Sequence, residues 1–405
     1  MVNIFLLDID GVLVKPGGYR TALHRTIAFF LQQLELPENF NLTEDEIGNF
    51  EAHGITSEWD MIPLTFASLF NQALEGKQHI QLDNLQEAIH WFRVTHPVRE
   101  RPGYTEKIQE WLRLAKPGLP LADSLYNRLL ENPPQHPFRN LATQPFVAEL
   151  LANTRDFSAN PFSRLFQNHV LGKEIFSQFY PGIPAVNVES TLENYDKPTI
   201  PPHLQFEISN HIKNGRLRAA AMTLRPNWVK GAALNGNSYR AGFSPEAEIA
   251  LRLTGLEGIP LAGYGTLLLA CQRYQLEIDQ ILKPSEFHAL TAIGLAFTDM
   301  QNSLEFSKSL YRTNPTQFSV ETSSLISKII PNEPLNIHIF EDSPNGIRSV
   351  IRASEILKSK GWLVSLHLWG ITSHPQKRKA LQDLGATVFS STSEAITTAL
   401  SLIND

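Results

Sequence analysis

The spacing of apolar residues changes period along the chain, and those changes divide it. Ile4-Phe5-Leu6-Leu7 is an unbroken apolar run, the pattern of a strand buried on both faces of a parallel sheet. After Val14 the period turns helical: Leu23, Ile27, Phe30, Leu31 and Leu34 predict a helix over 21–34. Further helices are predicted over 43–50, which opens on an acidic turn, and over 57–73, 84–94, 104–115, 146–153 and 172–179. Proline-rich breaks at 132–137 and 197–202 punctuate this series. Beyond the second break helix and strand alternate, as in an open parallel sheet. Strands are predicted at 217–222, 259–262, 335–340, 362–368 and 387–390, and helices at 203–213, 244–253, 267–274, 286–297, 345–358, 376–384 and 393–402. The stretch 299–334 has no clear pattern. The expected fold is α/β, a Rossmann-like doubly wound parallel sheet built from residues 1–14 and 203–405, with a large helical section, 15–202, inserted after the first strand.

Length agrees with two domains, since 405 residues exceed what one hydrophobic core usually serves. Charged residues make up 19% and the net charge is −6, with no long basic block, so neither nucleic acid nor an anionic membrane surface is an expected partner. Cys271 is the single cysteine, which excludes an intrachain disulfide and a thiolate metal cluster. No basic segment followed by a long apolar one opens the chain, and no apolar run approaches the length of a spanning helix, so the expected location is cytoplasmic.

The chemistry begins where the first strand ends. Asp8 and Asp10 follow Leu7 with one residue between them, and residues two apart in an extended chain point to one side. Gly11 then lets the backbone turn away. Two converging carboxylates repel unless a metal ion, a cationic side chain or a shared proton lies between them. Taken alone, this stretch is better read as a strand followed by an Asp-Gly turn. Three further signals fall where a doubly wound sheet brings strand ends to one edge. They are Thr223 after the strand 217–222, Lys283-Pro284 ahead of a helix start, and Phe340-Glu341-Asp342-Ser343-Pro344-Asn345-Gly346-Ile347 after another strand. Singly, these read as a helix cap, a solvated lysine and turn-forming acids.

In this order they resemble the four sequence motifs of the haloacid dehalogenase-like hydrolase superfamily. Asp8-Ile9-Asp10-Gly11-Val12-Leu13 matches the first motif, Thr223 the second, Lys283-Pro284 the third, and 340–347 the fourth. The helical section lies where members with a helical C1-type cap carry it. The resemblance implies phosphoryl transfer through a carboxylate. Asp8 is the implied nucleophile and Asp10 the implied acid and base. Mg²⁺ is implied on Asp8, the Asp10 backbone carbonyl and Asp342, with Thr223 and Lys283 on the phosphoryl oxygens. An acid at position 10 favours a phosphatase or phosphomutase over a dehalogenase, whose halide leaves without a proton. The expected function is thus a Mg²⁺-dependent phosphatase acting on a small phosphorylated metabolite. A phosphomutase of the β-phosphoglucomutase type and a catalytically silent ligand-binding relative are the rivals.

Two features depart from the family pattern. Lys283 and Asp342 lie 342 − 283 = 59 residues apart, which makes 299–334 an added excursion, and the cap is close to half the chain. A large lid suits a small substrate. Within it, Glu51–Asp60 reads as a helix start or as a loop in which Ser57, Glu58 and Asp60 set specificity. Glu341 and Arg225 are accessory candidates, and Arg225 is expected either to assist phosphate or to face solvent. Gly263-Tyr264-Gly265-Thr266 lacks the lysine of a phosphate loop, and the histidines lack zinc-site spacing. The sequence sets no oligomeric state.

Overall fold

Local signals at helix starts fix much of the chain. In the computed structural model, which describes residues 1–77, 79–230, 241–311 and 329–404, the chain divides into two units. One holds Met1–Pro16 and the chain from Asp196 onward; the other holds Gly17–Tyr195, with Ala241 counted to it.

The second unit is helical: α1 (Gly18–Gln33), α2 (Glu44–Ala52), α3 (Glu58–Ala73), α4 (Leu85–Thr95), α5 (Ile108–Leu114), α6 (Leu121–Glu131), α7 (Val147–Leu151), α8 (Pro161–Phe179) and α9 (Thr191–Tyr195). Thr43 and Glu46 form a reciprocal capping box that starts α2, and Asn84 caps α4 through the Glu87 N–H. Phe30 of α1, Phe66 of α3 and Phe162 of α8 meet at the core, with ring centroids 4.2 to 5.6 Å apart. Helix α6 and the first half of α8 were not expected from the sequence, and α5 begins at Ile108 rather than at Tyr104.

The first unit is the α/β part. Among its described residues, six strands, β1 (Val2–Leu7), β4 (Leu217–Met222), β5 (Leu261–Ala262), β6 (Leu335–Glu341), β7 (Val364–Ile371) and β8 (Thr387–Phe389), form one all-parallel sheet in the order β5-β4-β1-β6-β7-β8. A short antiparallel ribbon pairs β2 (Val14–Lys15) with β3 (Lys197–Pro198), next to the points where the chain leaves this unit and returns to it. Among the described residues it also holds helices α10 (Pro202–Lys213), α11 (Glu246–Leu253), α12 (Tyr264–Tyr274), α13 (Ile278–Ile281), α14 (Glu286–Leu295), α15 (Met300–Leu310), α16 (Pro344–Ser359), α17 (Pro375–Gln382) and α18 (Thr392–Asn404). Of the stretch 299–334, α15 is described, while 312–328 lie outside the described residues.

Strand alternation explains why β1 is apolar throughout. Ile4 and Leu6 pack with Ala289, Leu290 and Ile293 of α14 and Ile347 and Val350 of α16, whereas Phe5 and Leu7 pack on the other face with Leu204 and Ile208 of α10 and Ala395 and Ala399 of α18. Both faces are covered, so neither tolerates a polar residue. The Rossmann-like architecture therefore follows from a central strand that is buried on both sides.

One buried acid makes the stability of this unit pH-dependent. Glu248 of α11 accepts a hydrogen bond from the Trp228 N–H at 2.9 Å, and burial, reinforced by Glu246, pushes its carboxyl from 4.5 up to about 7. The folded chain then binds more protons than the unfolded chain between those values, so stability is lost as pH rises through that window. Glu248→Gln is expected to remove this slope and to raise stability at pH 8 by roughly 2 kcal/mol, read by urea unfolding at pH 5 and pH 8.

Candidate functional site

Neighbouring parallel strands set the site. The Asp8 N–H donates to the Phe340 carbonyl at 3.0 Å, extending the β1–β6 ladder by one bond, so the residue after β1 lies beside the end of β6. From β1 the chain goes on to β4 on one side, and from β6 to β7 on the other. This is a topological switch point, where open α/β sheets leave a crevice at the carboxyl ends of their strands.

Asp8, Glu341 and Asp342 each bring a carboxylate oxygen to this point, all within 4.8 Å of one another. Their repulsion is partly relieved by Lys283, whose Nζ is 3.0 Å from Asp8 Oδ1 and 2.7 Å from Glu341 Oε2. Lys283 precedes a cis peptide to Pro284, and Ser285 follows as the cap of α14. Burial pushes the Asp8 carboxyl well above the usual carboxylate range and Glu341 adds to this, with Lys283 working against both. Burial alone would lower the Lys283 ammonium, but Asp8 and Glu341 outweigh it and hold the lysine charged. Two carboxylates thus share one buried ammonium.

Glu341 is also held by the loop before α16. Ser343 donates its N–H at 3.2 Å and its hydroxyl at 2.8 Å to Glu341 Oε1, and the same hydroxyl accepts from the Gly346 N–H at the helix start. A Cβ at Gly346 would overlap the Glu341 carboxylate. At Gly11, where φ is +76°, a Cβ would lie 2.8 Å from Asp342 Oδ2. Both glycines therefore make room for acids. Asp342 Oδ2 accepts from Lys377 Nζ at 2.7 Å, and burial raises the Asp342 carboxyl while Lys377 opposes the rise.

Asp10 has a different partner. Arg225 donates Nε to Asp10 Oδ2 at 2.9 Å and Nη2 to Asp10 Oδ1 at 2.6 Å, and the same Nη2 lies 2.8 Å from Asp196 Oδ2. The Arg225 side chain is 1% exposed, so the expectation that it faces solvent is overturned, and its Nε and Nη2 face carboxylates. Thr223, one residue past β4, accepts the Arg225 N–H on its hydroxyl at 3.1 Å. Asp8, Lys283, Glu341 and Asp342 thus come together directly. Asp10 and Thr223 are joined to each other through Arg225, and the charge of Asp10 also bears on Asp8.

Ser57 and Asp60 serve the helical unit internally. Ser57 directly precedes α3 but makes no side-chain cap bond. Arg155 Nη2 donates to Ser57 Oγ at 3.0 Å and to Asp60 Oδ2 at 2.6 Å, while Asp60 Oδ1 accepts the Ala122 N–H at 3.0 Å at the start of α6. Glu58 opens α3 as an acid in the first turn. Gly263 is the residue before α12, and the Tyr264 N–H donates to the Arg225 carbonyl at 2.9 Å.

Sequence reasoning missed Asp196 and Lys377, and quoted Ser343 within the fourth motif without giving it a task. Lys377 carries a readable signal, a lysine in the first turn of a helix that follows the β7 strand end, at the same edge as Asp8. Asp196 stands just before the proline-rich break and has no local signature.

No family model and no curated protein matches the chain. Among solved structures it is similar to the X-ray structure of a Northeast Structural Genomics Consortium target, with a TM-score of 0.58 and 14% identity, over 100% of this chain and 99% of that one. At that identity the likeness speaks to the fold alone. Among the described residues, no helix is long and apolar enough to cross a membrane.

Proposed function

We propose that the chain is a phosphatase of the haloacid dehalogenase-like type, with the helical unit as its cap, acting with Mg²⁺ on a small phosphorylated metabolite. One observation carries this reading: Asp8 stands at a switch point with a buried lysine on one oxygen and two further acids within reach. A carboxylate in that position is pre-aimed, and the cations around it are what a phosphate dianion needs.

The donor set fits Mg²⁺, which takes hard oxygen ligands and binds through a few carboxylates rather than a full protein cage. Asp8 and Asp342 would hold it with Glu341 alongside, and Asp10 would add its main-chain carbonyl, because its carboxylate is taken by Arg225. When bound, the metal supplies charge that offsets the repulsion between phosphate and carboxylates. The chain's own residues do the rest. Asp8 attacks phosphorus and forms an aspartyl phosphate as the bond to the leaving oxygen breaks, and Asp10 gives that oxygen a proton. Water then attacks phosphorus, Asp10 takes its proton, and the Asp8–phosphorus bond breaks to release inorganic phosphate. Lys283 screens the phosphoryl oxygens throughout, and Thr223 holds the turn that carries Arg225.

The test is phosphate release from a nitrophenyl phosphate with Mg²⁺ and after chelation. Release is expected to fall by about 100-fold on chelation and to return when Mg²⁺ is restored. No release from this probe or from a panel of sugar and polyol phosphates, with Mg²⁺ present, would reject the reading. A sugar phosphate isomerised faster than it is hydrolysed would move it to a phosphomutase.

A further inference from the structure

We infer that Arg225 is the positioning residue for Asp10, anchored by the buried carboxylate of Asp196, and that it has no role in gripping phosphate. The inference rests on the phosphatase reading and adds a residue and a task to it.

The geometry separates holding from binding. Asp10 is 39% exposed and lies in the turn after β1, where an unsupported side chain would sample several rotamers. Two parallel donors on its two oxygens fix both its direction and its plane, a fork that arginine supplies and lysine does not. The guanidinium is itself held. Asp196, with a fully buried side chain, forms an ion pair with Nη2 at 2.8 Å, so the cation keeps a second anionic neighbour when Asp10 moves a proton. The Arg225 main chain is fixed at both ends, its N–H on the Thr223 hydroxyl and its carbonyl on the Tyr264 N–H. A residue that gripped phosphate would aim its guanidinium at the oxygens of the substrate. Arg225 aims Nε and Nη2 at Asp10, with Asp196 beside Nη2.

A positioning role for Asp10 predicts a distinctive kinetic split. A nitrophenolate leaves without a proton, so the first step on a nitrophenyl phosphate needs little help from Asp10. A primary alkoxide needs that proton, and the water of the second step needs a base whatever the substrate. With Arg225→Lys, rapid-mixing experiments are expected to show one equivalent of nitrophenol released promptly, followed by turnover about 100-fold slower than wild type. On a primary alkyl phosphate the first step itself is expected to slow by about the same factor. Inhibition by inorganic phosphate is expected to stay within about threefold of wild type, because the grip on phosphate is elsewhere.

Asp196→Asn keeps the arginine and loosens only its anchor, so it is expected to give the same split at about a tenth of the size, and it decides the matter if Arg225→Lys does not fold. Burst and turnover slowed alike, together with inorganic phosphate bound at least tenfold more weakly, would make Arg225 a phosphate ligand and overturn the inference. Unchanged kinetics in both variants would overturn it as well. Wild-type protein that turns over neither probe would instead reject the phosphatase reading, and the inference with it.

Discussion

Asp8→Asn is expected to abolish phosphoryl transfer, lowering phosphate release by about 10⁴-fold or more, while the protein stays folded. Asparagine matches aspartate in shape but offers no anionic oxygen to attack phosphorus. The structure also says which way stability moves. In the wild type, Asp8 is buried beside Glu341 with one ammonium between them, and both effects disfavour its charge. A neutral amide removes that conflict and leaves Lys283 to Glu341. The melting temperature is therefore expected to hold or rise, so lost activity cannot be ascribed to unfolding. Phosphate release and thermal melting on the same preparation check both halves.

Lys283→Met is expected to have the opposite stability signature. Removing one partner of a buried charge cluster leaves the others uncompensated, at a cost of about 3–5 kcal/mol. Here Asp8 and Glu341 lose their shared cation at once. Added Mg²⁺ is expected to recover part of the loss, because a metal bound only by the folded chain stabilises it in proportion to the logarithm of its concentration. Urea unfolding with and without Mg²⁺ reads this directly. The wild type should gain less from the metal than the variant does.

The sheet was legible because its central strand is buried on both faces. An apolar run at 4–7 and the stretch 217–222, apolar but for Arg218, read as strands in a chain of alternating helix and strand. Helices α2 and α4 were legible because signals local in sequence start them, at Thr43 and Asn84. Helix α6 was not, since Pro120 precedes it, no side chain caps its start, and the Ala122 N–H is met by Asp60, distant in sequence. The first half of α8 was hidden by the buried polar run Gln167-Asn168-His169, which breaks the apolar period, and by Gly172, whose φ of +75° kinks the helix. The ribbon of β2 and β3 is two residues on each side, too short for any period to show.

The site divides along the same line. Asp8, Glu341 and Asp342 sit at strand ends, and strand ends follow from the strand pattern. Lys283 could be placed near that edge because it stands just ahead of Ser285, the cap of α14. The task of Arg225 depends on Asp10 and Asp196, which reach it from two separate parts of the chain, and such a pairing has no trace in local spacing. The sequence left Arg225 divided between phosphate and solvent, and the fold puts its guanidinium against carboxylates.

The central claim is that Asp8 carries the phosphoryl group. The most direct measurement is rapid acid quenching during turnover of a phosphate monoester with Mg²⁺, followed by mass mapping of the phosphorylated peptide. The account predicts a transient acyl phosphate on Asp8, absent in Asp8→Asn and accumulating in Arg225→Lys. Turnover with the adduct on another residue, or with no covalent adduct while Asp8→Asn remains active, would contradict it.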